Sequence, residues 1–239
     1  MHPFTHYEHL ATLFDYPRRD YPSWVQATYD LLAGRYVVGA AHLDAFAKLL
    51  PTEGGPFTPE ALDEVQEIFT RSFDVQPITT LSVGYLVFGD DYKRGELLAN
   101  LNREGRALGI DFGSELPDHL PNVLRLLARW EDRDLAGELV TEVFHPALRQ
   151  MIEEFDQRRI SGRDELYRKH FGTLIVTSTE RGTMFRHPLE SVLAVLETDF
   201  KVSSDASSPA PSHDFLNGIA RELEIEPSDQ PSYALGEAP

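Results

Sequence analysis

The 239-residue chain is 41% hydrophobic and 26% charged, the balance of a soluble globular protein rather than a disordered or membrane-embedded one. It has no cysteine, which excludes disulfides, thiolate metal sites and thiol nucleophiles and makes an intracellular location the default expectation. Its 22 basic and 39 acidic residues give a net charge of -17, a field that repels nucleic-acid phosphates and anionic membranes and favours cationic partners, although it equally serves solubility alone.

No apolar run approaches the ~18 residues that a membrane span needs. The opening M-H-P-F-T-H-Y-E-H-L has no basic region followed by an apolar block, so no signal peptide is expected. Tyr7, Leu10, Ala11 and Phe14 recur at helical spacing, with Thr5 as N-cap and Glu8 placed to complete a capping box. Asp15-Tyr16-Pro17 ends that helix, because the residue before Pro avoids the helical region. A second helix is predicted over 22–33, with Gly34 as its stop, and a third over 42–50. Residues 51–56 form a loop by composition.

Thr58-Pro59-Glu60 is a strong helix start: an N-cap, Pro in the first turn and an early acid. Leu62, Val65, Ile68 and Phe69 form the buried stripe. Residues 78–88 are almost wholly apolar and are compatible with a strand; a central helix is predicted here because Thr79 or Thr80 can cap it and no partner strand is evident. Further helices are predicted over 94–108, stopped by Gly109, then 121–130, 134–143, a restart at His145-Pro146 running to Phe155, 164–176 and 188–200. From Lys201 the composition turns Ser/Pro-rich and acidic without periodicity, which predicts a disordered tail. The expected architecture is all-α: one helical bundle over 1–200 and a flexible tail over 201–239.

Two histidine groupings carry a metal pattern. His2, His6 and His9 are spaced for one helix face, with Glu8 beside them. Glu142-Val143-Phe144-His145 matches the Glu-x-x-His element that di-iron bundles use twice; it occurs once here and is followed by Pro146. These are the basis of an alternative reading, a helical metal-dependent oxidase or hydrolase. Gly54-Gly55 lacks the Lys-Ser/Thr of a phosphate loop, and no G-x-S-x-G elbow is present. The residues therefore assign no catalytic group, metal ligand or cofactor.

Glu115-Leu116-Pro117-Asp118-His119 is the sharpest local pattern. A helix start explains most of it: Asp118 as cap or first-turn acid, Pro121 in the first turn, Leu116 and Leu120 as a hydrophobic staple. It leaves Glu115 and His119 unexplained. A carboxylate pair beside a His can hold both a cation and a backbone carbonyl, at about 1.5–3 kcal/mol per shielded charge-assisted bond against about 0–1 kcal/mol for an exposed ion pair. The functional reading thus requires a groove, with Tyr85, Phe88 and Leu116 as its expected apolar wall and Gly89-Asp90 as the opposing rim.

The succession F-D-V, then T-L-S-V-G-Y-L-V-F-G-D-D-Y-K-R-G-E-L-L, then E-L-P-D-H-L-P resembles the nitrate reductase assembly chaperones (NarJ or delta-subunit type) and the wider TorD/DmsD group of redox-enzyme maturation chaperones. Ala11 to Pro17, A-T-L-F-D-Y-P, is similar to that family's N-terminal motif, and the likeness covers roughly residues 7–155. It implies an all-helical cytoplasmic chaperone, not an enzyme, monomeric or weakly dimeric and without cofactor. The implied partner is the basic N-terminal segment of a molybdenum-containing catalytic subunit, held until the molybdenum cofactor is inserted. Neither nucleic acid nor stable membrane insertion is expected. Residue by residue, Glu115, Pro117, Asp118 and His119 correspond to the group's E-x-x-D-H peptide-binding turn and Gly89 and Asp90 to its Gly-Asp turn; Tyr85, Phe88, Arg94 and Leu116 complete the expected site. The chain departs where many nitrate reductase chaperones carry L-E-F after the turn: it has Leu124-Arg125-Leu126.

Overall fold

The computed structural model of the chain describes residues 4–171 and 181–202, and among these the all-α class holds, with no strand. In chain order the helices are α1 (His6–Thr12), α2 (Tyr21–Leu32), α3 (Val37–Leu49), α4 (Pro59–Phe73), α5 (Val83–Phe88), α6 (Tyr92–Ala107), α7 (Leu120–Arg129), α8 (Arg133–Leu139), α9 (His145–Glu154), α10 (Gln157–Phe171) and α11 (Arg186–Phe200). A π-helical turn, Val140–Phe144, joins α8 to α9.

Helix ends follow capping chemistry where the sequence supplies it. Thr58 Oγ1 accepts from Ala61 N at 3.3 Å and starts α4 as expected, and Gly109 turns the chain after α6 with φ +66°. α7 is buried along almost its whole length, only Arg125 and Arg129 reaching solvent. Leu120, Val123, Leu124, Leu126 and Leu127 are all buried, and it packs along α1, which in turn meets α2. α3 lies along α11, and α11 along α9. Between them sits an aromatic cluster in which Phe185 meets Phe69 at 5.2 Å and Phe73 at 5.5 Å between ring centroids, edge-on pairs worth about 0.5–1.5 kcal/mol each beyond their buried area.

Several boundaries differ from expectation. α3 starts at Val37, five residues before the expected start at His42; Val37 and Val38 face solvent, so they add nothing to a buried stripe that could be read. The helix expected over 78–88 is confined to α5. Before it, Ser82 pairs antiparallel with His119, so the extended alternative describes this part and its partner is the turn before α7. Thr79 is buried and Thr80 Oγ1 accepts from Ser82 N at 3.2 Å instead of capping a helix there. The π-helical turn falls where Pro146 would interrupt regular α-helical bonding; its missing N–H and its ring are accommodated by the wider turn. α10 starts at Gln157, seven residues before its expected start, and residues 172–176 of that expectation, like the tail from 203, lie outside the described residues.

No side-chain bond caps α1 at Thr5. Glu8 turns instead to Arg129 of α7, with its Oε1 2.8 Å from Nε. His6 is buried and lies 2.7 Å from Asp199 Oδ2, while Tyr36 Oη donates to Asp199 Oδ1 at 2.7 Å and Tyr7 Oη to Oδ2 at 3.2 Å. Burial pushes the Asp199 carboxyl up, but these bonds outweigh it and hold the group below the usual carboxylate range. This network ties α1 to α11. It engages His6, whereas His9 is exposed and His2 lies outside the described residues.

Candidate functional site

The turn before α7 is anchored from behind. Val83 N donates to the Asp118 carbonyl at 2.9 Å and Leu120 N to the Leu81 carbonyl at 2.8 Å, so the segment Leu81–Val83 holds the turn like a short strand pair. Gly84 permits the approach: a Cβ there would lie 2.8 Å from both Asp118 Oδ2 and Leu97 Cδ2. Asp118 is fully buried and its Oδ2 accepts from Arg94 Nε at 3.0 Å, whereas its Oδ1 has no hydrogen-bond partner among the described residues. The Arg94 guanidinium in turn lies 5.3 Å from the Tyr85 ring centroid. Asn122 Nδ2 fastens the front of the turn by donating to the Leu116 carbonyl at 3.0 Å.

On the other side of the turn opens a groove of about 730 Å³. Asp15, Tyr16 and Arg18 line it from the segment after α1, Phe69 and Phe73 from α4, and Thr80, Leu81 and Ser82 from the segment before α5. Gly113, Ser114, Glu115 and His119 line it from the turn, and Arg125 from α7. Its apolar floor is aromatic, with Tyr16 and Phe69 edge-on at 5.6 Å and Phe14 and Phe73 at 6.3 Å. Its charged groups are Asp15, Asp74 and Glu115 against Arg18 and Arg125. Arg125 of α7 pairs with Asp15 of the segment after α1, so this ion pair spans two of the groove's walls.

The ten expected site residues therefore divide. Glu115 and His119 line the groove. Pro117 is buried in the turn, and Leu116 is 49% exposed at its tip. Asp118, Arg94 and Tyr85 form the bracket behind the turn, so the Asp118 carboxylate faces this chain's own Arg94 and not the groove. Gly89, in the positive-φ region at +59°, closes α5, and Asp90 beside it is exposed. Phe88 packs half-buried against the core. None of Tyr85, Phe88, Gly89 and Asp90 lines the groove; the wall expected from Tyr85 and Phe88 is supplied by Phe14, Tyr16, Phe69 and Phe73.

Desolvation pushes the His119 imidazole below its ordinary value, against the opposing influence of Glu115, Asp118 and Asp15. At neutral pH it is an uncharged donor and acceptor at the groove edge. The other expected pair is split: Glu142 is exposed, while His145 is buried 3.2 Å from Glu197 Oε1.

Sequence reasoning missed the part played by Asp15, Tyr16 and Arg125. Asp15-Tyr16-Pro17 reads as a helix stop, and Arg125 as a departure; that they meet is a tertiary fact. No protein-family model matches the chain, and no curated protein matches it. Among the described residues no helix is long and apolar enough to cross a membrane.

Proposed function

We propose that the chain is a cytoplasmic chaperone that holds the basic N-terminal segment of a molybdenum-containing catalytic subunit, a nitrate reductase or a relative, during cofactor insertion. One observation carries this reading: residues from all three motifs of the resemblance, the A-T-L-F-D-Y-P segment, the T-L-S segment and the E-L-P-D-H turn, line a single groove. Its volume falls within the range of about 300–1,000 Å³ typical of ligand pockets, enough for a few side chains of a longer peptide. Aromatic rings offer apolar contact to the peptide, and Glu115 and Asp74, which line the groove, offer partners to its Arg or Lys. The strongly acidic chain adds long-range attraction for such a segment.

Calorimetric titration with synthetic N-terminal peptides of molybdoenzyme catalytic subunits tests the proposal. Binding is expected to weaken when the peptide's basic residues are changed to Ala, when salt is raised, and in Glu115→Ala and His119→Ala. Unchanged affinity in both variants would remove the groove from the reading, and absence of binding to every such peptide would remove the reading itself.

A further inference from the structure

Away from the groove, α3 and α11 approach so closely that a Cβ on Gly39 would lie 3.1 Å from Val195 Cγ2 and 3.3 Å from the Ser191 carbonyl. Moving one turn along α3, from Gly39 to His42, moves back along α11 to His187 and Glu190. His187 and Glu190 are three residues apart and so share a face of the first turn of α11. Both imidazoles converge on one carboxylate oxygen: His42 Nδ1 is 3.1 Å and His187 Nδ1 is 3.4 Å from Glu190 Oε2. One ligand atom from each of the three residues lies within 4.8 Å of the others. The second carboxylate oxygen, Oε1, is held by Arg186 Nε at 2.8 Å.

Hydrogen bonding alone explains this cluster poorly. His187 Nδ1 is a buried polar atom that, although 3.4 Å from Glu190 Oε2, makes no well-aligned hydrogen bond among the described residues, whereas buried polar atoms nearly always have one. A metal ion would engage all three atoms at once. Zinc takes His nitrogen at about 2.0–2.1 Å and carboxylate oxygen at about 2.0–2.2 Å, so neighbouring donors around a tetrahedral ion stand roughly 3.3–3.5 Å apart. The distances already present to Oε2 are close to that spacing.

We propose that His42, His187 and Glu190 bind one divalent transition-metal ion of the zinc type, linking α3 to α11. Two imidazoles and a carboxylate favour such an ion over the all-oxygen preference of magnesium or calcium. Arg186 fixes the carboxylate so that Oε2 is presented, a supporting role of the kind that tunes metal sites. The imidazole side chains are 32% and 31% exposed, so the cluster lies near the protein surface rather than in the core. The site is separate from the groove, which none of the three residues lines.

The test is titration of the untagged full-length protein with Zn²⁺ by calorimetry and with Co²⁺ by visible absorption. One equivalent is expected, with the intense ligand-field bands of four- or five-coordinate Co²⁺ and a Zn²⁺-dependent rise in the thermal unfolding midpoint. His42→Ala and His187→Ala should each weaken binding by at least about tenfold, and His9→Ala should leave it unchanged. Glu190→Gln preserves side-chain size, so its loss of binding would not be a folding failure; circular dichroism establishes the fold of each variant. Binding that survives in all three site variants, stoichiometry well below one, or a Co²⁺ spectrum identical to the hexa-aqua ion would overturn the assignment.

Discussion

Arg94 Nε donates to the Oδ2 of a fully buried Asp118 at 3.0 Å, and this pair joins the start of α6 to the turn that opens α7. Among the described residues the Asp118 carboxylate has no other hydrogen-bond partner. Removing the cation would leave a buried charge uncompensated, which typically costs about 3–5 kcal/mol. Arg94→Ala is therefore expected to destabilise the fold by about that amount in urea denaturation. Asp118→Asn should cost less, because Arg94 is partly exposed and keeps water as a partner. The double variant Arg94→Met/Asp118→Leu should recover much of the loss, as apolar replacements of buried pairs often do. Additive losses in the double variant would show that the pair is not coupled.

Gly84 is the hinge of the same bracket. A methyl group there meets Asp118 Oδ2 and Leu97 Cδ2 at 2.8 Å, distances that real Cβ contacts do not tolerate, so the turn must shift or Leu97 must repack. Gly84→Ala is expected to cost about 1–3 kcal/mol, the range of overpacked cores. It should also lower affinity for the basic peptide by moving Glu115 and His119 relative to the groove. A variant as stable as the parent, by chemical denaturation, would mean that Leu97 yields freely.

Local periodicity made most of the helices legible, because a helix with one buried face writes that face into its sequence: Val65, Ile68 and Phe69 of α4 are buried as their spacing predicts, with Leu62 partly buried beside them. The start of α3 was not legible, since Val37 and Val38 are apolar yet exposed. The strand-like pairing of Ser82 with His119 was not legible either, because pairing belongs to two segments and composition to one. For the same reason the candidate site was half visible. Glu115 and His119 stand out locally, but the meeting of Asp15 with Arg125, and of His42 with His187 and Glu190, exists only after the helices pack. Asp118 looked like a ligand-facing acid because a sequence shows a carboxylate without showing the Arg that consumes it.

His119 gives the protein a defined pH response. Burial holds its imidazole below the ordinary value of 6.5, with Arg125 pushing the same way and Glu115, Asp118 and Asp15 opposing. As pH falls through ~6.5 the unfolded chain takes up this proton before the folded one does, so stability declines with acidification, and the decline is complete below the folded-state value. Above ~6.5 the group contributes no such penalty. Urea denaturation at pH 7.5 and 5.5 should show a smaller difference in His119→Gln than in the parent. Peptide affinity should fall only at the lower pH where the folded protein takes up this proton, because a protonated His119 places a positive charge beside the groove that a basic segment must enter. An unchanged pH difference in His119→Gln would assign the response to another group.

Arg125 offers the most direct probe of the groove's charge, because it neutralises Asp15 across the groove. Both side chains are partly exposed, so the pair itself is worth no more than about 1 kcal/mol, and its loss should barely move stability. Arg125→Glu frees Asp15 and adds a second acid to a lining that already holds Glu115 and Asp74. If the groove receives a basic segment, affinity for a peptide with two adjacent arginines should rise by about fivefold at low salt, equivalent to about 1 kcal/mol. The gain should shrink as ionic strength increases, since screening acts on exposed charges. Affinity for the same peptide with both arginines changed to Ala should not rise. A tighter complex with both peptides would point to a change of groove shape, and no change with either would place the basic segment elsewhere on the protein.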